Sequence, residues 1–154
     1  MNQKGTVLVE TLVALGAAVV IIAAITVMVI SSLNNAQSAK SQGLATQYAQ
    51  EGLEITRDIS RSGWGEFRAL SGINCLAEGS TELISEGANG CSQNVGNFVR
   101  TVEIQHDNSD CSGGSKVISD VSWSDTDCKD RSNIYCHSVE LQSCLSNVQA
   151  FPSP

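Results

Sequence analysis

The sequence has almost no proline: its two prolines stand at 152 and 154, so no earlier position carries the ring that breaks helices. Aromatic residues are scarce, at 5% of 154 residues. Trp64 and Phe67 are the side chains best placed to anchor a core behind the first long helix. Basic residues number nine against sixteen acidic ones, a net charge of -7. They are scattered, and without a basic stripe the chain lacks the phosphate-binding surface that nucleic acid requires. No closely spaced Cys pair suggests a zinc site. There is no Gly-rich phosphate loop and no internal repeat. His106 and His137 lack the neighbours of a nucleophile elbow or triad, and both read as sheet or surface residues. Asp107, Asp110, Asp125, Asp127 and Asp130 do not have the spacing of an EF-hand loop and read as a solvated acidic surface. The expectation is a protein that is not an enzyme and needs no cofactor or metal.

The most informative absence is local. No charged residue occurs from Thr11 to Leu33, whereas nearly every charge lies beyond Lys40. Crossing a bilayer as a helix takes about 20 apolar residues, and this run is long enough. Lys4 and the initial amine lie on its short side, so the positive-inside tendency predicts a cytoplasmic N-terminus and an exported remainder. A cleaved secretory signal is the competing reading, with Ala36 or Ala39 near the cut. Its apolar region is normally only about 7–15 residues, however, and it leaves Glu10 unexplained.

Glu10 stands at the front of the apolar run, where a carboxylate is costly unless it finds a partner. Lys4 and Gly5 precede it. The string Lys4-Gly5-Thr6-Val7-Leu8-Val9-Glu10-Thr11-Leu12-Val13-Ala14-Leu15 resembles the N-terminal signal of type IV pilins and type II secretion pseudopilins. That resemblance implies cleavage between Gly5 and Thr6 by a prepilin peptidase, N-methylation of Thr6, and retention of the helix. It departs from the family at Thr6, where Phe is common, and at Val7, where Thr is more usual. The partners it implies are other pilin-like subunits, the peptidase, an assembly platform protein and its ATPase, and membrane lipid before assembly. After cleavage the amine of Thr6 and the acid of Glu10 lie one helical turn apart. An acid there can meet a neighbouring subunit's amine, and a register slip leaves it buried and unpaired, which costs several kcal/mol.

Beyond the membrane the helix is expected to continue, because residues 34–60 hold no proline. Leu44, Tyr48, Gly52, Ile55 and Ile59 recur at helical spacing as an apolar stripe. The glycines at 63 and 65 end it. Residues 71–94 read as a loop with a short strand at 82–85. Alternation then predicts strands at 97–105, 117–123 and 135–141, the first with Phe98, Arg100, Val102 and Ile104 on one face. A long helix on a three- or four-stranded antiparallel sheet is an α+β fold, and it is also the pilin architecture. The expected divisions are a leader at 1–5, a transmembrane and assembly helix at 6–33, its amphipathic continuation at 34–62, and an exported sheet domain at 63–154. The six cysteines all follow the span and read as a disulfide framework. Neighbour pairing predicts Cys75–Cys91, Cys111–Cys128 and Cys136–Cys144, and the last two pairs can exchange partners. The function expected is that of a structural subunit, minor-pilin-like, in a pilus or pseudopilus. The alternative is a membrane-anchored binding or adhesin domain that enters no filament.

Overall fold

The structure is a computed structural model that describes residues 3–88, 90–124 and 136–147. It divides into two units, Met1–Ser41 and Gln42–Pro154, and helix α1 (Gln3–Ser62) contributes to both.

In the first unit every residue from Val7 to Lys40 is exposed. Many of these are Val and Ile, whose restricted χ1 makes them only moderate helix formers in water. In hydrocarbon the ranking matters less, because each backbone N–H and C=O must find its partner within the segment. This is the one helix among the described residues long and apolar enough to cross a membrane.

The second unit is α+β. The remainder of α1 packs on a five-stranded antiparallel sheet whose strands run β2-β1-β3-β4-β5 in space. The strands are β1 (Gly72–Cys75), β2 (Ile84–Ser85), β3 (Val99–His106), β4 (Gly114–Trp123) and β5 (His137–Ser146). A one-and-a-half-turn helix, α2 (Trp64–Ala69), follows α1 after Gly63, whose N–H closes the long helix on the Ile59 carbonyl at 3.1 Å. Phe67 is fully buried and Trp64 lies half-buried beside it, so this aromatic pair anchors the loop as the sequence suggests.

The face of α1 that meets the sheet shares Gly52 with the predicted stripe but is otherwise turned by one position. The buried line is Ala45, Ala49, Gly52, Thr56 and Ser60, whereas Leu44, Tyr48, Ile55 and Ile59 lie half-buried along one flank, packed against the core. Small side chains at the centre let the helix backbone approach the strands. The larger ones fill the wedge alongside, and a hydrophobicity count ranks those larger residues first. Gly52 marks the closest approach: a Cβ there would lie 2.5 Å from Ser119 Oγ on β4.

Arg100, Val102 and Ile104 of β3 are buried as expected, as is Phe98 just before the strand, and Thr101 on the opposite face is buried as well. The register aligns Val102 with Ser119 and Ser119 with Leu141. Two apolar clusters result. One contains Phe67, Leu76, Val102, Ile104, Val117 and Leu145. The other contains Ala45, Ala49, Val95, Phe98 and Val121. Along β4, Ser119 sits between Val117 of the first and Val121 of the second.

The sheet is wider than predicted. β1 lies in the stretch expected to be loop, and pairs with both β2 and β3. Its four residues, Gly-Ile-Asn-Cys, are too few to display a period, and they are placed by pairing rather than by pattern. The short strand expected at 82–85 is confined to Ile84–Ser85. β5 runs five residues past the predicted end at Leu141, and Tyr135, placed at its start, lies outside the described residues.

Candidate functional site

Two features of the chain are built for more than solubility. One is the exposed apolar helix with its single acid. The other is a set of polar and covalent ties that holds the sheet unit together.

Along the apolar helix the large side chains from Val7 to Leu33 are between 51% and 71% exposed. A helix apolar on all sides belongs inside a protein or inside lipid. The polar groups within this stretch fall into two kinds. Thr11 donates its hydroxyl to the Leu8 carbonyl at 3.0 Å, and Thr26 donates to Ile22 at 2.9 Å. Both hydroxyls are thus satisfied by their own helix, which makes them inexpensive in hydrocarbon. Glu10 is different. It is exposed and has no hydrogen-bond or ion-pair partner among the described residues. Gly5 and Thr6 lie in the first turns of the same helix.

The chief tie in the sheet unit is Arg100, which is fully buried. Its Nε donates to the Leu76 carbonyl at 3.0 Å, and its two terminal nitrogens donate to Ala77 at 2.9 Å and Tyr48 at 3.3 Å. Glu51 Oε2 lies 3.0 Å from it. One guanidinium therefore joins β3, the turn after β1 and α1. Burying an arginine costs heavily unless both its charge and its N–H groups are met, and here they are. Alternation placed Arg100 on the inward face, but nothing in a linear pattern shows which carbonyls converge there.

His106 makes a second tie. Its Nε2 lies 2.6 Å from the Leu70 carbonyl and its Nδ1 lies 2.7 Å from Ser115 Oγ. A carbonyl only accepts, so Nε2 carries the hydrogen, and the buried Ser115 hydroxyl can donate to Nδ1. His106 also packs edge-on against Phe67. It is a sheet residue with a packing role. His137 is exposed and lies beside Trp123, with ring centroids 5.6 Å apart.

The disulfides confirm the first expected pair and replace the preferred pairing of the other two with an exchange of partners. Cys75–Cys91 is bonded as predicted, with Cα atoms 5.5 Å apart. Cys111, however, pairs with Cys144, which excludes both Cys111–Cys128 and Cys136–Cys144. The cause is the meander. The register lays Gly114 opposite Ser146 and Lys116 opposite Cys144, so the β3–β4 turn that carries Cys111 lies against the far end of β5. Neighbours in sequence are not neighbours there. Cys136 is also disulfide-bonded, and Cys128 lies outside the described residues. Gly114 fits the same crossing: a Cβ on it would be 2.5 Å from the Leu145 carbonyl.

Two of the aspartates expected to form an acidic surface are held in ion pairs. Asp107, held at a positive φ of 55°, receives both terminal nitrogens of Arg68 at 3.4 and 3.0 Å. Asp110 accepts from Lys116 at 2.8 Å. Asp125, Asp127 and Asp130 lie outside the described residues. Among the described residues no group of three or more His, Cys, Asp or Glu side chains is arranged to hold a metal ion. Comparison of the chain with protein-family models, with curated proteins and with solved structures returned no match.

Proposed function

We propose that the chain is a filament subunit of the type IV pilin or pseudopilin kind, stored in a membrane by α1 and then polymerised through it. The observation that carries this reading is Glu10. It is the one acid at the mouth of an apolar helix whose hydroxyls bond to their own backbone, and it has no partner among the described residues. A carboxylate so placed is a lasting cost to a solitary anchor, but it gives an assembly a register when a neighbour supplies a cation. Cleavage after Gly5 supplies that cation as the amine of Thr6. The resemblance at residues 4–15 and the α+β sheet unit both agree with the reading.

In this account the leader keeps the N-terminus in the cytoplasm until a prepilin peptidase removes it. The span then holds the subunit in lipid with residues 34–154 exported. A platform protein and its ATPase draw it into a bundle sealed by apolar helices. The disulfide-bonded unit forms the outer surface, in keeping with an oxidising compartment.

Substitution of Glu10 tests this directly. Glu10→Val should leave membrane insertion intact, since it removes a charge from an apolar helix, but should lower the amount of chain in sheared filaments by about tenfold or more. Equal recovery of wild type and variant in the filament fraction would contradict the assignment. The alternative of an anchored binding domain predicts that indifference.

A further inference from the structure

Between the apolar run and the sheet-bound part of α1 lies a stretch whose helix has little to hold it. From Asn34 to Gly43 no residue is buried, and only Ser41 is even half-buried; the first buried residue is Ala45. The sequence there is Asn-Asn-Ala-Gln-Ser-Ala-Lys-Ser-Gln-Gly, which joins several of the weaker helix formers with the weakest after proline. Asn and Ser side chains also offer the backbone hydrogen bonds that compete with the helix. Gly43 has no steric reason to be glycine, because a Cβ on it would meet nothing within 4 Å and its φ is not in the left-handed region. Most helix stability in proteins comes from packing an apolar face, and this stretch packs none. The two compact units meet within it, between Ser41 and Gln42.

We propose that residues 34–43 are a helix–coil joint, a segment that unwinds and rewinds independently while the helix on either side stays formed. Lipid secures the backbone bonds of residues 11–33. Packing on β3 and β4 secures those from Ala45 onward. The joint has neither support, so it opens at the lowest cost along α1. Opening it lengthens the stretch from about 15 Å as helix to as much as about 33 Å as extended chain. A domain tethered through such a joint can turn and be displaced without straining its sheet or withdrawing its anchor. The inference rests on the membrane reading of residues 11–33 and not on assembly into a filament.

Hydrogen exchange read by mass spectrometry, on the full chain in phospholipid nanodiscs, tests it. Amides 34–43 should exchange at least about a hundredfold faster than those of 12–30 and 45–60. In the variant Asn34→Ala, Asn35→Ala, Gly43→Ala their exchange should slow by more than about tenfold, while β3 and β4 amides stay unchanged. These side chains are exposed, so the variant keeps its fold. Protection of 34–43 equal to that of 45–60 would overturn the proposal, as would rapid exchange that the alanines fail to slow. Rapid exchange through 12–30 as well would overturn it by a separate route, since the span itself would then be unsupported.

Discussion

Arg100 shows how much one side chain can hold. Its guanidinium is met by three carbonyls from two segments and by Glu51, and nothing shorter could reach all of them. Arg100→Leu removes the charge along with its partners' donors, leaving the Leu76 and Ala77 carbonyls to seek water in a packed interior. The variant should lose about 3 kcal/mol of stability, measured by denaturant unfolding of the full chain in detergent and followed by tryptophan fluorescence. A subtler pair is Gly52 and Ser119. The Ser119 hydroxyl is buried with no hydrogen-bond partner, and it occupies the place a Cβ on Gly52 would need. Ser119→Ala should therefore be neutral or stabilising. Gly52→Ala alone should cost about 1–2 kcal/mol through overpacking, despite the better helix propensity of alanine. Combined, the two should recover most of that cost, because the next nearest atoms are at ordinary contact distance, 3.5 Å or more. Simple additivity in the double-mutant cycle would show that the two sites are not in contact.

Helix and strands differ in how far their sequences announce them. The long helix was legible because no proline interrupts it and its apolar run is unbroken. β3 and β4 were legible because one face is buried, so the period of two survives. Elements placed by their neighbours were not legible. β1 is four residues long and is fixed by pairing on both sides. The contact face of α1 was misjudged by one position, since close packing selects for small residues and hydrophobicity for large ones. The Cys111–Cys144 bond could not be read from spacing, because it depends on the β4–β5 register. It closes a loop with a sequence separation of 33. Replacing both cysteines by serine should lower stability by about 3–4 kcal/mol on the loop-entropy account. Urea unfolding of the full chain in detergent would measure that loss, and a non-reducing peptide map would show the bond directly. A peptide that links Cys111 to Cys128 would contradict the register described here.

At the scale of the whole molecule, the candidate site was the part most open to reading. Glu10 stands out as a single charge before a charge-free run, and the structure adds that it has no partner among the described residues while Thr11 and Thr26 do. What the sequence could not display was the ties of the sheet unit, Arg100 and His106 above all, because each depends on backbone carbonyls brought from distant segments. The proposed division of labour follows from these physical differences. A lipid-compatible helix stores the subunit, an acid at its mouth gives the register, and a disulfide-bonded sheet unit faces the outside. Every part of that account depends on whether the chain is trimmed after Gly5 and keeps its helix. The mass of the mature N-terminal peptide, taken from cells with and without a prepilin peptidase, decides it. The account predicts a chain that begins at N-methylated Thr6 when the peptidase is present and remains uncut after Gly5 when it is absent. A chain that still carries residues 1–5 in the presence of the peptidase, or one cut near Ala36 or Ala39, would contradict it.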